Sequence, residues 1–449
     1  MLTRRRFLST ALSGAAVGVA AAQTRKPNVL LILADDLGYE CLGVNGGTSY
    51  RTPHLDKMAA TGLRFTNAFA QPLCTPTRLQ LMTGQLNFRN WRSFGVMDPA
   101  EKTFGHMMQQ AGYRTAIAGK WQLFSYDAPP SKYRGTGKKP EQGGFDEFLL
   151  WHDAYSEDKG SRYADPVLNH NGRKVPGTKG KYGPDLFSDF LIDFMKRNKD
   201  QPFFAYYPMA LTHGPFNATP QSDDWPDGNR LKDDPKYYRD MVEYMDRDTG
   251  KVLDALDRLG LAENTLVLYY ADNGTPPEIV SRMGSRVVPG GKRLTTEAGM
   301  HVPMIARWRG VTPAGKVCPD LVDSTDFLPT IAAVTGAQWF PQLPLDGRSF
   351  LPQLKGQTGQ PRQWLFAHYD PHPSCKADIK PTRLAWDHQW KLYMDGTLYD
   401  WKADPLEKKP LGPQEAKPAR AKLQKALDQM ARVKAPKFNK YEPDGKTAY

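Results

Sequence analysis

Apolar residues gather in short unbroken runs along this chain, and each run stops at a polar or turn-forming stretch. Residues 28–34, Asn-Val-Leu-Leu-Ile-Leu-Ala, are the clearest. An unbroken run without alternation reads as a strand buried on both faces, as in a parallel sheet. Comparable runs lie at 202–208 and 264–271, and more polar stretches at 63–69, 113–118 and 302–308 also read as strands. Between them the period changes to that of a helix. The segment 52–62 opens on Thr52-Pro53 and closes on Gly62, a helix start and a helix stop. Residues 103–110 end before Gly112, and in 185–198 Leu186, Phe187, Phe190, Leu191 and Phe194 share one face. Further helices are predicted over 237–259 and 323–334. This alternation predicts an α/β fold, a doubly wound, mostly parallel sheet flanked by helices, over residues 23–340. Beyond it, 341–359 reads as a linker. Short strands at 390–394 and 397–400 and a charged helix at 415–433 predict a small C-terminal α+β subdomain spanning 341–449. Residues 124–184 and 274–300, rich in Gly and basic residues, read as long loops, the first walling a cleft. Residues 439–449 read as loose.

Composition narrows the setting. The 449 residues are 40% hydrophobic and 24% charged, a soluble, globular balance. No run in the body is long enough to cross a bilayer, so no transmembrane anchor is expected. The formal charge of +12 favours a polyanionic partner. No Lys/Arg block resembles a nucleic-acid arm, so a sulfated or carboxylated polysaccharide suits the charge and nucleic acid is not expected. Residues 1–22 read as an export signal. Arg4-Arg5-Arg6-Phe7-Leu8 precedes a modestly apolar stretch and Ala20-Ala21-Ala22, the pattern of a twin-arginine signal with a small-residue cleavage site. The mature chain would then be periplasmic or extracellular, with a charge lower by those three arginines. Of the four cysteines, Cys41, Cys74, Cys318 and Cys375, one has chemistry of its own, as follows. That leaves an odd number and argues against a disulfide framework.

The polar residues just after the apolar runs form one set. The first run ends in Asp35-Asp36 and the run 264–271 ends in Asp272-Asn273. Adjacent carboxylates at the end of a buried strand repel unless a cation lies between them. A set without His or Cys points to a hard ion, calcium rather than magnesium because the larger ion is less strict in geometry. Lys120 closes another run and His213 follows a fourth. In an open α/β sheet, ligands collect beyond the carboxyl ends of the strands. The run 63–69 leads to Cys74-Thr75-Pro76-Thr77-Arg78, which reads as a helix start with Gly84 as its stop. Cys74 thus lies where a helix N-terminus favours anions, and Arg78 lies one turn further on the same face. A reactive side chain, an arginine fork and a helix dipole suit a tetrahedral oxyanion such as sulfate or phosphate. A buried structural cysteine beside a surface arginine is the alternative for those five residues alone.

The run resembles the sulfatase signature Cys-x-Pro-Ser/Thr-Arg. Gly119-Lys120-Trp121, Gly144-Phe145-Asp146, Ala271-Asp272-Asn273-Gly274, 292–303 and Leu398-Tyr399-Asp400 extend the resemblance over most of the chain. It is identified as a member of the type I sulfatases of the alkaline phosphatase superfamily. The resemblance implies that a formylglycine-generating enzyme converts Cys74 to 3-oxoalanine (formylglycine), the nucleophile. It also implies that Asp35, Asp36, Asp272, Asn273 and residue 74 hold one calcium, that Arg78 steadies the aldehyde hydrate, that Lys120 and Lys292 hold sulfate oxygens, and that His213 faces the ester oxygen. The expected substrate is a sulfated carbohydrate. Two departures stand out. Gln122 replaces the usual histidine of Gly-Lys-Trp-His, and Ala298 replaces a usual glycine. An amide holds position but does not titrate near neutral pH. Ser156 is a candidate for a serine that some members place after the Gly-Phe motif. His54 and His301 suit structural roles, and His368 and His372 suit either a sugar contact or a structural role. A phosphodiesterase or phosphonate monoester hydrolase with the same nucleophile remains open, as does a non-catalytic glycan-binding protein. Oligomeric state does not follow from the sequence.

Overall fold

The structure is a computed structural model that describes residues 25–125, 133–153, 159–226, 230–370 and 381–433. The stretch 1–22 read as a signal, Ser156, His372, Cys375 and residues 439–449 lie outside the described residues. The first half contains β1 (Asn28–Ala34), α1 (Pro53–Ala60), β2 (Leu63–Phe69), α2 (Cys74–Thr83), α3 (Phe104–Gln110) and β3 (Arg114–Lys120). Then come β4 (Glu147–Trp151), β5 (Asn169–His170), β6 (Arg173–Lys174), α4 (Gly183–Arg197), β7 (Phe203–Pro208), α5 (Tyr238–Arg258) and β8 (Thr265–Ala271). They are followed by β9 (Val280–Met283), β10 (Arg286–Pro289), α6 (Glu297–Met300), β11 (Met304–Arg307), β12 (Lys316–Asp323), α7 (Phe327–Thr335) and α8 (Leu351–Leu354). The chain closes with β13 (Leu365–Tyr369), β14 (Thr382–Trp386), β15 (Trp390–Tyr393), β16 (Leu398–Asp400) and α9 (Lys417–Ala431).

Ten strands form one sheet in the order β12-β2-β11-β8-β1-β7-β3-β4-β5-β6. β1 is its axis: Leu31 pairs in parallel with Tyr206 of β7 and with Leu268 of β8. Every residue of β1, β7 and β8 is buried, so both faces of the sheet centre are covered, as unbroken apolar runs require. Helices α1 and α4 pack on α5, and α2 packs on α3 and α7. On α4, Phe187, Leu191 and Phe194 are buried, while Leu186 and Phe190 are only partly so. β13 to β16 form a separate antiparallel sheet, and α9 packs on β14 and β15. This is the expected fold, with departures inside it. The segment 124–184 is not loop throughout: Phe148, Leu149 and Leu150 of β4 join the main sheet beside β3. The segment 274–300 carries the β9–β10 hairpin. β11 runs antiparallel between β2 and β8. β12, which the pattern did not reveal, adds to β2 with a register break between Cys318 and Leu321, where Pro319 lacks a ladder donor. The stretch read as a linker is anchored, because both Asp346 carboxylate oxygens accept from Arg89 at 2.7 Å.

Among the buried carboxyls of the helix layer, the one on α5 facing β7 has the larger pH consequence. On α5, Asp248 accepts a hydrogen bond from the Tyr207 hydroxyl. Burial pushes its carboxyl up from 3.8 to about 7. Between those values the native state holds a proton that the unfolded chain has lost, so stability falls as pH rises, by up to about 1.4 kcal/mol per pH unit. Asp248→Asn removes this term. Urea titrations should show the variant gaining on the wild type from pH 5 to pH 7 and keeping a constant lead above that.

Candidate active site

The carboxyl ends of β1, β3, β7 and β8, with the start of α2, converge on one buried point. Asp35 and Asp36 leave β1, and Asp272 and Asn273 leave β8 beside them. The Asp36 N–H donates to Asp272 Oδ1 at 3.0 Å, and Asn273 Nδ2 donates to Asp36 Oδ1 at 2.8 Å. Asp36 has a φ of 63°, a left-handed conformation that costs a non-glycine residue energy and clusters at functional sites. Lys120, the last residue of β3, donates to Asp35 Oδ2 at 2.7 Å. It follows Gly119, where an added Cβ would meet the Pro208 carbonyl oxygen at 1.9 Å; only glycine lets β3 and β7 close here. Lys292 reaches Asp36 Oδ2 at 2.6 Å. Helix α2 is buried along its whole length and ends at Gly84 in a left-handed cap. Thr77, one turn in, donates to the Asp272 carbonyl at 2.6 Å, which ties the helix start to β8.

Arg78 is spent on scaffold. Nη1 donates to the Trp121 carbonyl at 2.5 Å and Nη2 to the Lys120 carbonyl at 2.8 Å. The guanidinium fork therefore holds the end of β3, and through it the Lys120 ammonium. Gln122 has a φ of 45° and His152, at the end of β4, a φ of 59°; the Gln122 N–H donates to the His152 carbonyl at 2.9 Å. His213 donates from Nδ1 to the Gly214 carbonyl at 2.6 Å, because a carbonyl only accepts, and its Nε2 lies 3.7 Å from Asp36 Oδ2. Gln122 and His213 line a cavity of about 330 Å³ with Lys159, Arg162, Tyr163 and Asn217.

Three carboxylates and two ammoniums share this site. Burial raises the Asp35 carboxyl, but Lys120, Lys292 and Arg162 overcome it and hold the group below the usual range. Burial pushes Asp272 well up, and the Asp35 charge adds to it. Asp272 is therefore the carboxylate with the greatest affinity for a proton. Burial, with Lys292, Lys120 and Arg162, drives His213 well below its ordinary value, so the imidazole is neutral. Burial also raises the Cys74 thiol, and Asp272 and Asp35 oppose its ionisation. A thiolate is the nucleophilic form of cysteine, so this surrounding suits no thiolate chemistry.

A divalent ion fits the donor set. Ligand atoms of Asp35, Cys74 and Asp272 lie within 4.8 Å of one another, as do those of Asp35, Asp36 and His213. Asp35 Oδ1 and Asn273 Oδ1 are buried acceptors without hydrogen-bond partners, unusual for buried oxygens and apt for a hard cation. The structure brings together all the residues singled out around this point: Asp35, Asp36, Cys74, Arg78, Lys120, Asp272, Asn273, His213 and Lys292, with Gln122 on the adjoining cavity. It places others elsewhere. His54 lies in the first turn of α1, where its backbone N–H donates to Asp246 at 3.0 Å. His301 stacks on Tyr39 with ring centroids 4.0 Å apart. His368 is buried and accepts from Arg383 at 3.1 Å. Ala298 is tolerated because its methyl faces Gly291, which has none. Pattern reasoning missed Thr77, His152 and Arg162. A four-residue apolar run before His152 was the available signal for one of them; Arg162 lies in a stretch without periodicity.

The chain was then compared with known proteins. The Sulfatase family model matches residues 27–337. A second model, N-sulphoglucosamine sulphohydrolase, C-terminal, matches residues 291–433. The chain is similar to arylsulfatase A of Homo sapiens, 35% identical, with 87% of this chain and 79% of that protein covered. It is similar to N-acetylgalactosamine-6-sulfatase of Mus musculus, 28% identical, with 84% and 76% covered. Among solved structures it is similar to Ps i-CgsB, with a TM-score of 0.74, 27% identity, and 91% of this chain and 92% of that chain covered. The same protein has been solved with k-i-k-neocarrahexaose, with a TM-score of 0.72, 26% identity and the same coverage.

The Arg78 fork makes a stability prediction. A lysine ammonium is a compact donor without the planar fork whose two nitrogens reach the two carbonyls here, so Arg78→Lys leaves at least one of them poorly paired. Urea titration should show a loss of about 1–3 kcal/mol, and a larger loss for Arg78→Met.

Proposed function

The chain belongs to the sulfatase family and hydrolyses sulfuric esters, and from that premise we propose that its substrate is a sulfated carbohydrate, cleaved by a formylglycine made from Cys74 beside one calcium ion. The observation that carries this is the buried meeting of Cys74 with Asp35, Asp272 and the two lysines at a helix N-terminus. The names of relatives support the substrate class. One is an N-acetylgalactosamine-6-sulfatase, and another has been solved with k-i-k-neocarrahexaose. Asp35, Asp36, Asp272 and Asn273 would hold the calcium, which when bound neutralises the carboxylates and draws charge from the sulfuryl oxygens. The formylglycine supplies a hydrated aldehyde, one hydroxyl to attack sulfur and a second through which the aldehyde re-forms as sulfate leaves.

The remaining work falls to the chain's own side chains. Asp272, whose carboxylate lies with Asp35 beside Cys74, would take the proton from the attacking hydroxyl. Lys120 and Lys292, held by Asp35 and Asp36, present ammoniums to the sulfate oxygens. Arg78 fixes the strand end from which Lys120 projects. Gln122 offers a hydrogen bond from an amide that neither gains nor loses charge. His213 is neutral because cations surround it. The charge of an arriving sulfate ester offsets those cations, raises the proton affinity of Nε2 and lets it protonate the leaving oxygen.

Cys74 is buried, 1% exposed, so a maturing enzyme must reach it before the α2 segment packs. Among the described residues no helix is long and apolar enough to cross a membrane. With the 1–22 pattern, this supports export to the periplasm or beyond, and we propose that location. The parts before and after residue 340 are proposed as catalytic domain and C-terminal subdomain.

Two measurements check the proposal. Mass spectrometry of the peptide containing residue 74, from a host with a formylglycine-generating enzyme, should find an aldehyde; a thiol throughout would favour glycan binding over catalysis. Cys74→Ser in a host that does not convert serine should lower turnover of 4-nitrophenyl sulfate by at least about 10³-fold. Separately, dialysis against a chelator should lower the melting temperature and calcium should restore it. Asp35→Asn or Asp272→Asn should abolish that calcium-dependent shift.

A further inference from the structure

The cavity beside His213 contains a cation that the reaction above uses only as background charge and to which it gives no contact with the substrate. Arg162 is only 5% exposed. Its guanidinium lies over the Trp151 ring, 3.7 Å from the centroid. Stacking occupies the face of the group and leaves its in-plane N–H donors free to meet an acceptor. Nη1 is buried without a hydrogen-bond partner, and no carboxylate among the described residues pairs with it. The other buried cations here have partners: Lys120 pairs with Asp35, Lys292 with Asp36, and Arg78 donates to two carbonyls with only its Nε left over, whereas no side-chain hydrogen bond or ion pair holds Arg162 among the described residues. A buried, unpaired guanidinium is costly unless an anion completes it.

Its position separates it from the sulfur-attacking group. Arg162 lines the cavity with His213, Tyr163 and Asn217, and Cys74, Lys120 and Lys292 are not part of that lining. The neighbouring Tyr163 hydroxyl donates to the Ala210 carbonyl at 2.7 Å and to the His213 carbonyl at 2.5 Å, which fixes Arg162 against the His213 loop. Arg162 thus stands where the alcohol part of the ester would lie. The cavity of about 330 Å³ is at the low end of the range for small-molecule sites, about 300–1,000 Å³.

We propose that Arg162 is a specificity residue that pairs with a second anionic group on the substrate, a carboxylate or a second sulfate on the sugar that carries the scissile ester or on its neighbour. This rests on the sulfated-carbohydrate reading above. A planar fork suits either oxyanion through two parallel hydrogen bonds, and a ring oxygen or hydroxyl would leave the charge unpaired.

Calorimetry on the calcium-loaded Cys74→Ala protein, which does not consume its ligand, tests this with three probes. These are N-acetylgalactosamine 6-sulfate, N-acetylgalactosamine 4,6-disulfate, and the chondroitin disaccharide that joins a uronic acid to the 6-sulfate. At least one of the two dianionic probes should bind tenfold or more tightly than the monosulfate. Which one does so distinguishes sulfate from carboxylate. Arg162→Met should erase that preference, weakening the preferred dianionic probe at least fivefold more than the monosulfate. Should Arg162→Met not fold, Arg162→Lys decides, since it loses the fork and should reduce the preference below threefold. Equal affinity for all three probes, including none measurable, overturns the assignment. So does a preference that survives the substitution, or an equal weakening of every probe. Turnover of 4-nitrophenyl sulfate by the protein with residue 74 intact is a separate gauge. Its absence would count against the hydrolytic reading, while the binding comparison still decides Arg162.

Discussion

Three buried carboxylates cannot share a pocket unless positive charge is placed among them, and that constraint organises this molecule. Asp35, Asp36 and Asp272 are each about 1% exposed. Their repulsion is offset from two directions, by Lys120 at the end of β3 and by Lys292 beyond the β9–β10 hairpin. None of these residues is close to another in sequence apart from the first pair. Only a sheet whose strands end on the same side can collect them, and a parallel arrangement around β1 does so. The long apolar strands bury the frame; the charges at their ends use it.

The balance of that cluster explains why its members differ. Asp35 faces most of the cations and stays ionised, while Asp272 is burdened by burial and by Asp35 itself. Two aspartates at matching strand ends thus acquire opposite tendencies toward a proton, the usual way in which one fold separates a charge-bearing group from a proton-accepting one. His213 is pushed toward neutrality by the same cations that hold Asp35 ionised. A change at Lys120 or Lys292 therefore acts on every titrating group in the pocket, and charge and proton chemistry cannot be altered separately.

How much of this was legible in the sequence follows from the same division. β1 and β8 are apolar runs followed at once by carboxylates and β3 closes on Lys120, so both the strands and the chemistry at their ends could be read, while β2 and β7 reach Cys74 and His213 only after a short connecting stretch. β4 is shorter and enters a stretch of irregular composition. β12 is broken by Pro319, which local reasoning treats as evidence against a strand. Helix limits fell within two residues, Gly84 and Gly112 stopping helices by backbone conformation alone, except at the start of α7, expected at 323 and found at Phe327 after the turn that Asp323 caps. The fork of Arg78 was unreadable, because pattern places it near the oxyanion site while its partners are carbonyls brought from β3. Arg162 was unreadable for a related reason. Its meaning lies in what does not pair with it, and absence of a partner has no trace in a sequence.

The C-terminal part adds a constraint on the reactive segment. Tyr369, the last residue of β13, is 1% exposed and packs in one small cluster with Leu73, Cys74 and Phe94. Next to it the His368 carbonyl accepts from Asn87 at 2.9 Å, and Asp370 accepts from Trp91 at 3.1 Å. Leu86 and Phe88, just past α2, belong to the core that the four-stranded sheet shares with Leu423, Ala426 and Leu427 of α9. The start of α2 is thus tied to β8 through Thr77 and to the second sheet through Tyr369, and its end is tied to α9 through Leu86 and Phe88. A helix with so weak an apolar face of its own has little reason to stay docked by amphipathicity alone. Two sheets hold it from opposite ends of its sequence, which makes the small sheet a part of what positions residue 74.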